Sequence, residues 1–153
     1  MKARMSLLSA FLTAFIPIFV AMDAVGCLPF YMGMVGGMTE RERRKILFQA
    51  VLTAAAVGVG FIFLGKAVFL FLGVTVADFK VAGGLVLLVL AAADLLSSEP
   101  QYRKMTGTVG VVPLGVPLIA GPGVLTALVM QVDIVRIWVT LAAFAASLLA
   151  TLL

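Results

Sequence analysis

Helix-breaking residues sit inside segments apolar enough to cross a membrane, and this restricts what the chain can fold into more than any other feature. The first segment, Met5 to Met22, carries no charge and runs into Asp23-Ala24-Val25-Gly26-Cys27-Leu28-Pro29. A later one contains Ala120-Gly121-Pro122-Gly123-Val124-Leu125-Thr126. Hydrocarbon offers no partners to backbone N–H and C=O groups, so irregular backbone at bilayer depth is tolerated only where protein buries it or it lines a wet cavity. The two breaks therefore mark a cavity.

Hydrophobic residues make up 63% of the chain and charged residues 12%, against roughly 45–50% and 25% in a soluble globular domain. The composition is that of an integral membrane protein, read as a single transmembrane domain over 1–153 with five apolar stretches. Met5 to Met22 lacks the small-residue cleavage site of a signal peptide and is expected to be a retained span. Cys27 stands alone, which excludes an intramolecular disulfide, and histidine is absent. Without the commonest general base and metal ligand, neither a metal site nor a cofactor is expected. The net charge of +4 comes from basic residues at the ends of apolar spans, a positive-inside pattern rather than a nucleic-acid footprint.

Thr39 followed by Glu42 is a capping-box pattern, which starts a helix at the charged run Glu40 to Lys45. Span two is expected from Ile46 to about Gly73, interrupted only at Gly65-Lys66. Val74 to Asp78 reads as a turn. Span three opens with Phe79-Lys80-Val81-Ala82-Gly83-Gly84, whose small residues suit close helix packing, and closes at Asp94. Lys66 and Lys80 read as snorkelling anchors. A polar loop, Ser97 to Thr108, leads to span four, which starts near Val109 and ends at Met130 to Asp133. Span five runs from about Ile137 to Leu153. Lys and Arg counts place the Arg41 to Lys45 loop in the cytoplasm and the N-terminus outside.

Gly26 and Gly123 are separated by three crossings, so the second break enters the membrane from the opposite side. That is the arrangement of an inverted repeat, and paired interrupted segments point to a transporter's midplane site. Helices restarting after Gly26 and Gly123 would direct unpaired N–H groups at an anionic group, while carbonyls of the preceding half-helices would suit a cation. Asp23 has two compatible readings: an N-cap for the following helix, and a proton carrier with a raised pKa. Substrate-binding candidates are Asp23, Gly26, Cys27, Pro29, Gly121, Pro122, Gly123 and Thr126. Asp23 and Asp94 are the candidates for ion coupling.

The order and spacing of Asp23-x-x-Gly26-x-x-Pro29-Phe30, Glu42-Arg43-Arg44-Lys45, Gly65, Gly73, Phe79 to Gly84, Asp94, Val112-Pro113-Leu114 and Pro117 to Gly123 resemble the MarC family of inner-membrane proteins. The resemblance implies six spans in two inverted three-helix halves, with some members carrying small neutral amino acids such as glycine and alanine. Two departures stand out. The family's first break usually reads Asp/Asn-Pro-x-Gly-Asn, where this chain has Ala24 and Cys27, and only five spans are found where six are implied.

The fold expected is thus an all-α polytopic membrane helix bundle with two broken helices. Repeat one covers about 1–96 and a partial repeat two about 109–153, its last helix missing. The function expected is secondary transport of a small polar solute across the inner (plasma) membrane by alternating access, coupled to protons or sodium, and not an enzymatic one. The partners are the solute, the lipid bilayer and, over the face left uncovered, a second subunit. Two alternatives stay open: an intramembrane aspartyl hydrolase pairing Asp23 with Asp94, and a truncated, non-transporting structural subunit.

Overall fold

The computed structural model describes residues 6–96, 116 and 119–152. The elements among them are all helices: α1 (Leu7–Met22), α2 (Ala24–Val35), α3 (Glu40–Leu72), α4 (Val76–Leu96), α5 (Pro122–Ile134) and α6 (Ile137–Thr151). The all-α class read from the sequence is what forms. Two stretches, Leu7–Gly33 and Glu40–Leu72, are long and apolar enough to cross a membrane. Large apolar side chains face outward, with Leu70 82% and Phe71 89% exposed, as the lipid-facing surface of a helix bundle requires. The expected polar loop at Ser97 to Thr108 and the start of span four, with Pro113 and Pro117, lie outside the described residues.

Helix ends form where local chemistry supplies partners for orphan backbone groups. Thr39 caps α3: its hydroxyl accepts from the Glu42 N–H at 3.4 Å, and its own N–H donates to the Glu42 carboxylate at 2.8 Å. Gly73 closes the same helix in the left-handed region at φ 66, a conformation that costs glycine least. Between them α3 is continuous over 33 residues, about 50 Å. Gly65-Lys66 interrupts the apolar run of sequence and not the helix. Gly65 is instead a contact point, since a Cβ there would lie 2.5 Å from Val129 Cγ2, and Lys66 pairs with Asp133 of α5. Thr75 and Asp78 repeat the capping arrangement at the start of α4, with the Thr75 hydroxyl and N–H donating to Asp78 at 2.7 and 2.8 Å.

These caps make the helix starts acid-sensitive. The Thr39 N–H and then its hydroxyl hold the Glu42 carboxyl below its ordinary range, and the Thr75 hydroxyl and then its N–H do the same for Asp78. A carboxylate whose folded pKa is depressed adds stability above its unfolded value and loses it as pH falls through the folded one. Amide exchange in the first turns of α3 and α4 is therefore expected to accelerate, relative to the helix interiors, as pH drops below the ordinary carboxylate range. Glu42→Gln should remove that pH dependence at α3 and leave it at α4. Exchange that stays flat with pH at both helix starts would contradict the assignment.

Packing is organised around α5, which contacts α1, α3, α4 and α6. Its buried residues include Val124, Leu125, Leu128 and Val129. The facing side of α3 buries Ala50, Ala54, Gly58, Ile62, Gly65 and Phe69, spaced by three or four so that they form one stripe. Lipid tails are as apolar as leucine, so no hydrophobic force drives this association. Small residues instead let backbones approach until dispersion contacts accumulate. Gly58 admits the Phe144 ring of α6, whose Cζ would lie 2.2 Å from an added Cβ.

The same contacts fix directions. Gly65 meets Val129 and Lys66 meets Asp133, so α3 and α5 run the same way. After the turn at Gly73 to Thr75, α4 sets Phe79 against Phe61 and Phe69 of α3 and Gly83 against Pro122 of α5. α6 returns past Val135-Arg136 and lies along α1 with C-terminal ends together, the Thr151 hydroxyl standing 3.7 Å from Met22 Sδ.

Candidate functional site

The first break is one residue wide. Asp23 ends α1 and begins α2, with φ 42 and ψ 56, and its carboxylate accepts from the Gly26 N–H at 3.1 Å. Asp and Asn tolerate this left-handed backbone because a short polar side chain can bond locally. The helix thus restarts at Ala24 and not after Gly26. Gly26 stays in the first turn of α2, where a Cβ would stand 2.2 Å from Asp23 Oδ2. The Cys27 thiol turns back toward the Met22 carbonyl at 3.7 Å, and Pro29 lies inside α2 without ending it.

The second break is built differently. Gly121 is the N-cap of α5 in extended backbone, φ −74 and ψ 173, and Pro122 takes the first helical position. Proline suits that place because its missing N–H is one the helix leaves unpaired anyway. This helix also restarts earlier than the sequence suggests, at Pro122 and not after Gly123. No side chain caps it, so the Gly123 and Val124 N–H groups have no partner within the helix. The buried Thr126 hydroxyl, expected to serve a solute, donates to the Gly123 carbonyl at 3.0 Å.

The two breaks meet. A Cβ on Gly123 would lie 3.9 Å from Ala21 Cβ, in the last turn of α1. Gly83 of α4 stands directly on Pro122, where an added Cβ would be 1.9 Å from the ring Cγ. Beside this junction is a cavity of about 430 Å³ lined by Pro17 of α1, Lys80 and Gly84 of α4, and one face of α5. That face comprises Pro122, Gly123, Thr126, Ala127, Met130 and Gln131. From Gly123 on, its members are spaced three, one, three and one, as a single helical face requires.

Of the candidate residues, Pro122, Gly123 and Thr126 line the cavity, and Gly121 is buried at the start of the same helix. Asp23, Gly26, Cys27 and Pro29 belong to the break facing Gly123 but are not among the lining residues. Asp94 falls in α4, and its side chain lies outside the described residues. Lys80 and Gln131 were not among the sequence candidates. Gln131 is only 6% exposed, and its Oε1 has no hydrogen-bond partner among the described residues. The available signal was its place on the helical face shared with Gly123.

The sequence profile of MarC family integral membrane proteins matches residues 8–153. The chain belongs to the MarC family. A UPF0056 membrane protein of Methanocaldococcus jannaschii is 30% identical over 132 residues, covering 80% of this MarC chain and 58% of the relative. A second, from Pyrococcus abyssi, is 29% identical over 132 residues, covering 82% and 65%. The inner membrane protein YhgN of Escherichia coli is 27% identical over 122 residues, covering 78% and 62%. This MarC chain thus spans about three-fifths of the length of the curated relatives it matches. No solved structure matches it.

Proposed function

We propose that this MarC chain forms the solute pathway of a secondary transporter for a small polar solute, foremost a small neutral amino acid, in the plasma membrane. One observation carries the reading: two helix breaks, distant in sequence, touch at Ala21 and Gly123 beside a cavity of about 430 Å³. That volume is near the low end for ligand sites. The start of α5 offers uncapped N–H groups and the positive end of a helix dipole, which suit a carboxylate. Movement of the half-helices about the Asp23 and Gly121 junctions would open the cavity to each side in turn. The YhgN relative is named an inner membrane protein, which supports the location proposed.

Reconstituted into proteoliposomes, the protein is expected to accumulate labelled glycine or alanine under an imposed proton or sodium gradient. Absence of flux for every small amino acid under both gradients would overturn the reading.

A further inference from the structure

A second cavity, away from both breaks, lies where α2 ends and α3 begins. Its volume of about 390 Å³ falls within the range of ligand sites. Tyr31, Met32 and Val35 form its α2 wall, and Tyr31 also packs against the buried core, which anchors that wall. Glu40, Arg43, Arg44 and Leu47 form its α3 wall, spaced three, one and three as one helical face. Two guanidinium groups are set there against one carboxylate, so the lining carries one net positive charge. Glu40 takes only the outer end of Arg43, with Nη1 to Oε1 at 3.5 Å, and is itself 82% exposed. An exposed pair of this kind contributes little. Arg44 forms no ion pair among the described residues. Arg43 Nε is sealed from solvent and is not what the cavity offers. Its burial instead anchors the stem of a side chain that is still 39% exposed.

Depth decides what this charge meets. Arg43 and Arg44 come just before the apolar run that opens at Ile46, so the cavity stands at headgroup level when α3 crosses the bilayer. From the lining, Arg44 continues along α3 into Phe48 and Leu52, and Met32 continues back along α2 into Leu28, at the four-residue spacing of one helical face. These four apolar side chains are 52% to 68% exposed. A positive cavity continued by outward apolar rows fits an amphiphile with an anionic head. The Lys and Arg counts give this end to the cytoplasmic leaflet, where anionic lipids gather and basic pockets between helices hold their headgroups.

We propose that this cavity binds the phosphate of one anionic phospholipid, Arg43 and Arg44 donating to its oxygens while the acyl chains lie along Met32, Leu28, Phe48 and Leu52. Guanidinium suits phosphate because its planar fork of N–H groups matches two oxygens at once. A phosphodiester carries a single negative charge, which the lining balances. The added ammonium of phosphatidylethanolamine would find only the exposed Glu40 to receive it.

Titration of the detergent-solubilised protein with phosphatidylglycerol, read by native mass spectrometry, tests the site. The first phosphatidylglycerol is expected to bind more tightly than phosphatidylethanolamine or phosphatidylcholine. Arg43→Gln and Arg44→Gln should each weaken it by about 10-fold or more, the value of a hydrogen bond to a charged group. Arg41→Gln and Lys45→Gln remove the same charge from the same run but outside the lining. They should leave binding nearly unchanged, because exposed charges away from the contact are screened by salt. Glu40→Gln should tighten binding, since the carboxylate that competes for Arg43 is gone. Glycerol phosphate, a headgroup without chains, should compete weakly.

Equal weakening by all four cation substitutions would mean diffuse attraction to a basic surface and overturns the site. Equal binding of phosphatidylethanolamine, or weaker binding in Glu40→Gln, overturns the anionic headgroup in favour of a zwitterionic one. Competition by glycerol phosphate as strong as by the lipid makes the occupant a free phosphate and overturns the lipid. If Arg43→Gln does not fold, Arg44→Gln against Lys45→Gln decides: loss in the first alone supports the site, and equal behaviour overturns it. None of these readouts depends on solute transport.

Discussion

Replacing Gly83 by alanine is expected to abolish solute uptake and lower thermal stability by about 3 kcal/mol, the upper end of overpacking costs. The added Cβ would stand 1.9 Å from Pro122 Cγ and 2.3 Å from its Cβ. A flexible side chain in that position would swing aside at little cost, but the Pro122 ring is closed onto its own backbone and cannot. Either α4 retreats or the first turn of α5 is pushed, and both displace the wall of the cavity. Gly60 is the contrasting site, since a Cβ there meets nothing within 4 Å. Gly60→Ala should raise stability by about 0.5–1 kcal/mol through reduced backbone entropy loss, with uptake unchanged. Removing the ring in a Gly83→Ala, Pro122→Ala double variant should return much of the lost stability. Thermal unfolding in detergent and uptake by the same preparations measure the cycle. A Gly83→Ala protein as stable and active as wild type would mean that α4 does not pack on the second break.

What the sequence made legible follows from how local each feature is. The start of α3 could be read because Thr39 and Glu42 satisfy one another within four residues. The first break could be read because an acid and a glycine sit together in an apolar run. Its width could not, because the restart at Ala24 depends on Asp23 adopting φ 42, a conformation sequence pattern does not impose. Gly65-Lys66 could be read only as a gap in the apolar run, because the contact of Gly65 with Val129 and the pairing of Lys66 with Asp133 are made to another helix. Thr126 lines the cavity, as its place near the second break suggested. Its hydroxyl was legible as a polar group in an apolar span, but not its bond to the Gly123 carbonyl one turn earlier. Lys80 and Gln131 enter the cavity only when α4 and α5 are set side by side. That juxtaposition is tertiary, and a lysine near a helix start reads as an anchor until a partner helix is known.

Asp23→Ala is expected to eliminate uptake, whereas Asp23→Asn should retain it, and the difference separates the two roles open to this residue. Alanine loses the side-chain bond to the Gly26 N–H, about 1 kcal/mol for a cap. It must also hold a left-handed backbone that costs an unassisted residue about 1–2 kcal/mol. Together these amount to about 2–3 kcal/mol against the bent junction. A continuous helix through residue 23 becomes the competing state, and it would carry α2 out of its bent course beside the second break. Asparagine offers an oxygen to the same N–H and tolerates the same backbone, but carries no proton. A cap role therefore predicts that Asn behaves as wild type in both gradient-driven accumulation and solute exchange. A proton-carrying role predicts that Asn keeps exchange and loses accumulation. The exposed position of Asp23 and its bond to Gly26 favour the cap. Gly26→Ala supplies the independent check, because its Cβ would lie 2.2 Å from Asp23 Oδ2 and drive the carboxylate off the N–H. Gly26→Ala and Asp23→Ala should fail together, with Asp23→Asn apart from both. If Asp23→Asn lost accumulation while Gly26→Ala kept it, the charge of Asp23 and not its cap would be what the first break requires.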